Sequence, residues 1–172
     1  MRVNPEPLIS AEAIQRRTRA LAAEIARQPE EDLVMITVLK GAVVFASDLV
    51  RHFGFSVPMD FIRAQSYAGC ESNGLVELSL LPETPLRGRR VLLVEDILDT
   101  GRTSAALLDW IRAQEPASVE LCVLLDKPSR RAVDIQADFV GFTIDDQFVV
   151  GYGLDYNEAF RNLPAVHVLE TE

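Results

Sequence analysis

Cysteine and histidine are scarce: the 172-residue chain has two of each, and a single tryptophan. Without a cluster of Cys and His at ligand spacing, a zinc site of the usual kind is excluded. Cys70 lies in a polar stretch and Cys122 in an apolar one, a contrast that fits two reduced thiols better than a disulfide. Cations are also in short supply, with 17 Lys and Arg against 26 Asp and Glu and a formal net charge of −9. Nonspecific nucleic-acid binding rests on clustered Lys and Arg that neutralise phosphates, so no nucleic-acid partner is expected. No run is apolar for long enough to cross a membrane, and MRVNPEPLIS lacks the apolar stretch of a signal peptide. A cytoplasmic protein with no membrane partner is expected.

The hydrophobic share, 48%, is enough for one well-buried core, and the length is too short for two full domains. A single domain over residues 1–172 is expected. Ser10 can cap a helix running to about Arg27, with Ala13, Ile14, Leu21 and Ile25 on one side. Leu33–Leu39 reads as a buried strand and Ala42–Phe53 as the helix that follows at once, leaving Lys40 and Gly41 as a very short connection. In Val57–Ala64 the alternation predicts a strand with Val57, Met59 and Phe61 inward and Asp60 outward. A polar loop from Gln65 to Gly74 leads to a strand at Leu75–Leu80. Leu81–Arg90, with two prolines and a glycine, reads as an exposed connection. Further strands are expected at Val119–Leu125 and Phe139–Thr143, and a helix at Thr103–Ala113 burying Ala106, Leu107, Trp110 and Ile111. This alternation predicts an α/β fold with a mostly parallel twisted sheet flanked by helices. After Thr143 the pattern breaks into short Tyr-, Phe- and Gly-rich pieces, which suit a small hood formed mainly by residues of about 144–172 over a pocket.

The segment hardest to explain by folding alone is Val91–Thr103, VLLVEDILDTGRT. Its four apolar residues suit a strand buried on both faces, which places Glu95 and Asp96 at the carboxyl end, where open α/β sheets bind ligands. Asp99-Thr100-Gly101-Arg102-Thr103 can wrap N–H groups and hydroxyls around an anion, with a helix opening at Thr103 or Ser104 to add its dipole. Carboxylates beside a bound phosphate need a cation or sugar hydroxyls between them, and a phosphorylated sugar with Mg²⁺ meets both needs. The bland alternative is an acidic strand end before a capped helix. One carboxylate suffices for a cap, whereas this segment supplies three.

VLLVEDILDTGRT resembles the phosphoribosyl-pyrophosphate signature of the type I phosphoribosyltransferases. LLDKPSRR (Leu124–Arg131), DDQFVVGYGLDYNEAFRNLP (Asp145–Pro164), LKG (Leu39–Gly41) and SY (Ser66, Tyr67) are similar to the purine-salvage branch, the hypoxanthine-guanine phosphoribosyltransferases. The resemblance spans nearly the whole chain. It implies the type I phosphoribosyltransferase fold with a hood from the C- and N-terminal segments, and transfer of a 5-phosphoribosyl group from phosphoribosyl pyrophosphate to hypoxanthine or guanine with Mg²⁺ as cofactor. Apart from the resemblance, the acidic chain and its apolar helices allow self-association, and a homodimer or homotetramer is expected.

By the same resemblance Asp99 is the general base toward the imidazole ring of the purine. Thr100, Gly101, Arg102 and Thr103 bind the 5′-phosphate, and Glu95 and Asp96 hold the ribose hydroxyls directly or through Mg²⁺. Leu39, Lys40, Gly41 and Arg161 bind pyrophosphate, with a Leu-Lys peptide that can be cis in the family. Lys127 donates to the six-position oxygen, Phe148 stacks on the purine, Val149 reads its edge through the backbone, and Ile97 completes the purine site. Asp155 holds a second Mg²⁺, and Ser66 and Tyr67 belong to a closing loop that excludes water. Each role has a plainer rival: a capping Asp99, a solvated Lys127, a core Phe148, a helix-surface ion pair between Asp155 and Arg161. A different class of function, a regulator that keeps the fold and binds phosphoribosyl pyrophosphate and nucleic acid without catalysis, would need a basic face that this acidic chain lacks.

Overall fold

A computed structural model describes residues 2–27, 32–66 and 76–170. In chain order the elements are β1 (Arg2–Val3), α1 (Ala11–Ile25), β2 (Leu33–Val38), α2 (Val43–Val50), β3 (Met59–Ser66), β4 (Val76–Leu80), β5 (Arg90–Leu98), α3 (Arg102–Arg112), β6 (Ser118–Asp126), β7 (Phe139–Thr143), β8 (Val149–Val150) and β9 (His167–Glu170). Six strands form the main sheet in the order β4-β3-β2-β5-β6-β7. All neighbours pair in parallel except the edge strand β4, which runs antiparallel to β3.

The central strands are apolar on both faces because helices cover both. Met35, Leu92, Val94, Cys122 and Leu124 face α1 and α2 and pack with Ile14, Leu21, Ile25, Phe45 and Leu49. Their sequence neighbours Val34, Ile36, Val91, Leu93, Leu121 and Val123 face α3 and pack with Leu107, Leu108 and Ile111. Burying each such side chain contributes roughly 1.5–3 kcal/mol. A one-residue slip would exchange the two sets, so the register is firmly held. With β2 pairing Thr37 to Val94, and β5 pairing Leu98 to Asp126, the carboxyl ends of β2, β5 and β6 come together at one edge.

Several expectations are corrected. Val57 and Met59 pack against the α1–α2 core as expected, but among the described residues of β3 the fully buried one is Ile62, on the same side as Asp60, because the strand lies inside the sheet. Asp60 does not point freely outward: it accepts from the backbone N–H groups of Phe61, Glu83 and Thr84. On α3, Ser104 and Leu108 are buried together with Leu107 and Ile111, whereas Ala106 and Trp110 are only partly covered. The connection before β5 is not wholly exposed either, since Leu86 is buried and Arg90 pairs with Glu120 at 2.7 Å. A second sheet, β1-β9-β8, is antiparallel and joins the two ends of the chain.

Candidate active site

The turn after β5 leads into α3 through a glycine. Gly101 has φ +82° and is the N-cap of α3, and no side chain caps the helix. A Cβ there would meet Ile135 Cγ2 at 2.4 Å, so glycine is required both by conformation and by space. The plainer reading of Asp99 as a cap therefore finds no hydrogen bond to support it. Thr100 Oγ1 lies 3.5 Å from the Arg102 N–H, while the Ser104 hydroxyl is turned to donate to Glu95 Oε2. The helix opens at Arg102, one residue before the expected position, with the Arg102 side chain exposed and Thr103 partly buried.

Glu95 and Asp96 differ in setting. Glu95 is 4% exposed, and burial pushes its carboxyl up to about 8; the Ser104 hydroxyl opposes the shift and the Asp96 charge adds to it. Asp96 keeps a partly exposed surface, and desolvation likewise raises it, with Arg161 opposing and Asp155 reinforcing. Its carboxylate lies against Gly41: a Cβ on that glycine would stand 1.8 Å from Asp96 Oδ2. The Leu39–Lys40 peptide just before it is cis. Gly153, at φ +101°, abuts the same loop, since a Cβ there would fall 2.2 Å from the Gly41 carbonyl oxygen.

The segment after β8 supplies charge to the same place. Arg161 Nη1 donates to the Gly153 carbonyl at 2.7 Å, and Nη2 pairs with Asp155 Oδ1 at 2.8 Å. Asp155 and Arg161 are not a helix-surface pair: Asn157, Glu158 and Phe160 between them all have positive φ, so the segment is a chain of turns. Glu158 accepts from Lys40 Nζ at 3.0 Å and reaches Arg161 at 3.4 Å.

Lys127 and Asp99 line the other side. Lys127, 6% exposed, is not a solvated surface charge; its Nζ donates to the Gln147 carbonyl at 2.6 Å and its N–H to the Leu98 carbonyl at 3.0 Å. Asp99 Oδ1 is 3.2 Å from Arg130 Nε, which also lies 3.6 Å from Asp146. Phe148 is half exposed and meets Tyr156 edge-on at 5.7 Å, which argues against a core role. Val149 is buried in β8, and Ile97 is partly buried beside the α1–α2 core. Ser66 ends β3, and Tyr67 lies outside the described residues, as does Cys70. Burial pushes the Cys122 thiol upward, which leaves it inert.

Sequence reasoning missed Ser104, Arg130 and Arg131. Arg131 donates to the carbonyls of Leu98 and Asp99 and pairs with Asp126, so it pins the turn that carries Asp99. The available signal was the pair of arginines in LLDKPSRR, which follow the one buried lysine of the site within four residues.

Comparison with known proteins agrees with this geometry. The family model described as phosphoribosyl transferase domain matches residues 8–157. A hypoxanthine-guanine phosphoribosyltransferase of Aquifex aeolicus is 44% identical, covering 95% of this chain and 93% of the relative. A hypoxanthine-guanine-xanthine phosphoribosyltransferase of Tritrichomonas foetus is 41% identical over 95% of this chain and 90% of the relative. The crystal structure of a hypoxanthine-guanine phosphoribosyltransferase from Bacillus anthracis is similar with a TM-score of 0.93 and 43% identity, covering 98% of this chain and 100% of that one.

Proposed function

The chain belongs to the phosphoribosyl transferase family, and we propose that it moves the 5-phosphoribosyl group of phosphoribosyl pyrophosphate onto hypoxanthine or guanine, giving IMP or GMP and pyrophosphate. The observation that carries this reading is the packing of Asp96 on Gly41, which brings an acidic strand tip and a short backbone loop within one side chain of each other. A ribose held by the first would have its pyrophosphate at the second. Regulation without catalysis finds no support, because the relatives carry the names of transferases and the formal charge is −9.

The transition state of such a transfer is oxocarbenium-like, so groups must meet the charge that develops on the leaving pyrophosphate. The backbone N–H groups of Lys40 and Gly41 and the guanidinium of Arg161 would meet that charge, whereas the expected Leu39 N–H is already given to the Ile62 carbonyl at 2.8 Å. Thr100 to Thr103, at the opening of α3, would hold the 5′-phosphate, with Gly101 permitting close approach. Glu95 and Asp96 would accept from the ribose hydroxyls. Asp99 would take the imidazole proton of the purine, exchanging its Arg130 contact for the base. Lys127 has donors beyond the one given to Gln147, and directing one at a six-position oxygen discriminates against an amino group there. The exposed ring of Phe148 offers a face for stacking, Ile97 adds an aliphatic wall, and the Val149 backbone would read the base edge.

The residues fit Mg²⁺. Among the described residues no group of three His, Cys, Asp or Glu converges into an all-protein cage. Mg²⁺ keeps several waters and takes one or two carboxylates together with substrate phosphates, as Asp96 and Asp155 could provide, with Glu95 behind Asp96. When bound it would neutralise charge on the pyrophosphate. No described helix is long and apolar enough to cross a membrane. A cytoplasmic enzyme acting as a homodimer or homotetramer completes the reading, and sedimentation would count the subunits.

The deciding experiment measures pyrophosphate release with hypoxanthine, guanine, xanthine, adenine and orotate in turn, with and without Mg²⁺. Release with the first two that depends on Mg²⁺ is expected. Release with adenine or orotate alone, or with none of the five, overturns the reading.

A further inference from the structure

We propose that the hydrogen bond from the Tyr152 hydroxyl to Asp48 is a strut that sets the width of the pyrophosphate clamp, which makes these two side chains positioning residues for the transfer. The inference rests on the reading of Leu39–Gly41 and Arg161 as the pyrophosphate site.

Tyr152 stands at the centre of a turn with three consecutive positive φ values: +100° at Gly151, 51° at Tyr152 and +101° at Gly153. A bulky residue holds such a conformation only where its surroundings over-determine it. Here the backbone N–H groups of the three residues donate to Leu154, Leu163 and Arg161 carbonyls at 3.0, 2.8 and 3.0 Å. Tyr152 is 6% exposed, and its hydroxyl donates to Asp48 Oδ2 at 2.6 Å. Burial, and then the Asp48 carboxylate, push the phenol upward, so it remains a donor.

The placement of the two ends gives the bond its meaning. Asp48 is on α2, which begins at Val43, two residues beyond Gly41, so whatever is fixed to Asp48 is fixed relative to the Leu39–Gly41 loop. Gly153, at the other end, touches the Gly41 carbonyl and offers its own carbonyl to Arg161 Nη1 at 2.7 Å. One turn therefore seats Arg161 and rests on Gly41, and the phenol is its tie to α2. Filling the space requires only the ring; holding the distance requires the hydroxyl. Lys127 and Phe148 are placed by β6 and by β8 pairing with β9, so loosening the turn should spare the purine.

Tyr152→Phe should raise KM for phosphoribosyl pyrophosphate about tenfold, the scale of one buried hydrogen bond to a charged acceptor, and leave KM for hypoxanthine within about twofold. Asp48→Ala should do the same, and the double variant should be no worse than either single one, since both remove one interaction. Asp48→Asn keeps an acceptor oxygen and should recover most of the loss. Arg51→Ala, which removes the other partner of Asp48 on the surface, should change neither constant. A fall in melting temperature with both KM values unchanged, or an equal rise in both, overturns the strut. Calorimetry of inorganic pyrophosphate binding in magnesium buffer reads the same bond without turnover. If the parent chain catalyses nothing, the transferase reading fails, while the strut still stands or falls on whether Tyr152→Phe and Asp48→Ala weaken pyrophosphate about tenfold.

Discussion

Gly41→Ala adds one carbon where the structure leaves no room for it. The new Cβ would lie 1.8 Å from Asp96 Oδ2 and 2.5 Å from its Cγ. The Gly41 carbonyl is itself packed against Gly153, which limits how far the loop can shift. Gly41 is not among the glycines with positive φ, so the penalty is steric and not conformational. The carboxylate of Asp96 is the part that can move, and it has a partly exposed side to move into. Overpacking costs about 1–3 kcal/mol, and a loss of 1 kcal/mol lowers the melting temperature of a chain this size by about 2–4 °C, so a fall of a few degrees is expected. Activity should suffer far more, because displacing a group by about 1 Å in the site can cost about 10²-fold. The assay is kcat/KM for phosphoribosyl pyrophosphate at saturating hypoxanthine, alongside calorimetric melting. Gly54→Ala is the control: a Cβ there meets nothing within 4 Å, and the change should be neutral or stabilising by about 0.4–1 kcal/mol. If Gly41→Ala keeps kcat/KM within about threefold of the parent, the contact of Asp96 with this loop has no part in catalysis.

Three further outcomes are expected. Asp99→Asn should lower turnover by about 10²-fold or more with little change in phosphoribosyl pyrophosphate affinity; near-normal turnover would remove Asp99 as the base. Lys127→Ala should erode the preference for hypoxanthine over adenine and, by leaving the Gln147 carbonyl unpaired, cost about 1–3 kcal/mol of stability. Relative rates on the two bases that do not change would take Lys127 out of recognition. Glu95 binds its proton more tightly folded, at about 8, than at its ordinary value of 4.5, so the native state holds the extra proton between those values. Its contribution to stability is then complete below 4.5, declines as pH rises towards 8 and is flat above. Glu95→Gln in magnesium-free buffer should remove that slope, gaining on the parent in melting temperature between about pH 5 and pH 8; a pH-independent difference would refute the assignment.

What the sequence discloses about this site depends on how local the cause is. The strand, acidic pair and glycine bend of VLLVEDILDTGRT are set by consecutive residues, and they stand where periodicity and turn chemistry place them. The phase of α3 is not local: the apolar spacing admitted Ala106 and Trp110, but Ser104 is drawn inward by the buried carboxyl of Glu95, nine residues earlier. Lys127 shows the same limit more sharply. A lysine before a proline in a strand-end loop reads as solvated, and only the resemblance argued otherwise; what buries it is the parallel pairing of β6 with β5 and the Gln147 carbonyl twenty residues on. Arg131 was quoted in a motif and given no task, because its targets are backbone carbonyls of another strand end, which no side-chain pattern reveals. Gly41 is the extreme case: its identity is enforced by Asp96 and its carbonyl meets Gly153, residues far from it in sequence, so its meaning exists only once the register of β2 on β5 has been fixed.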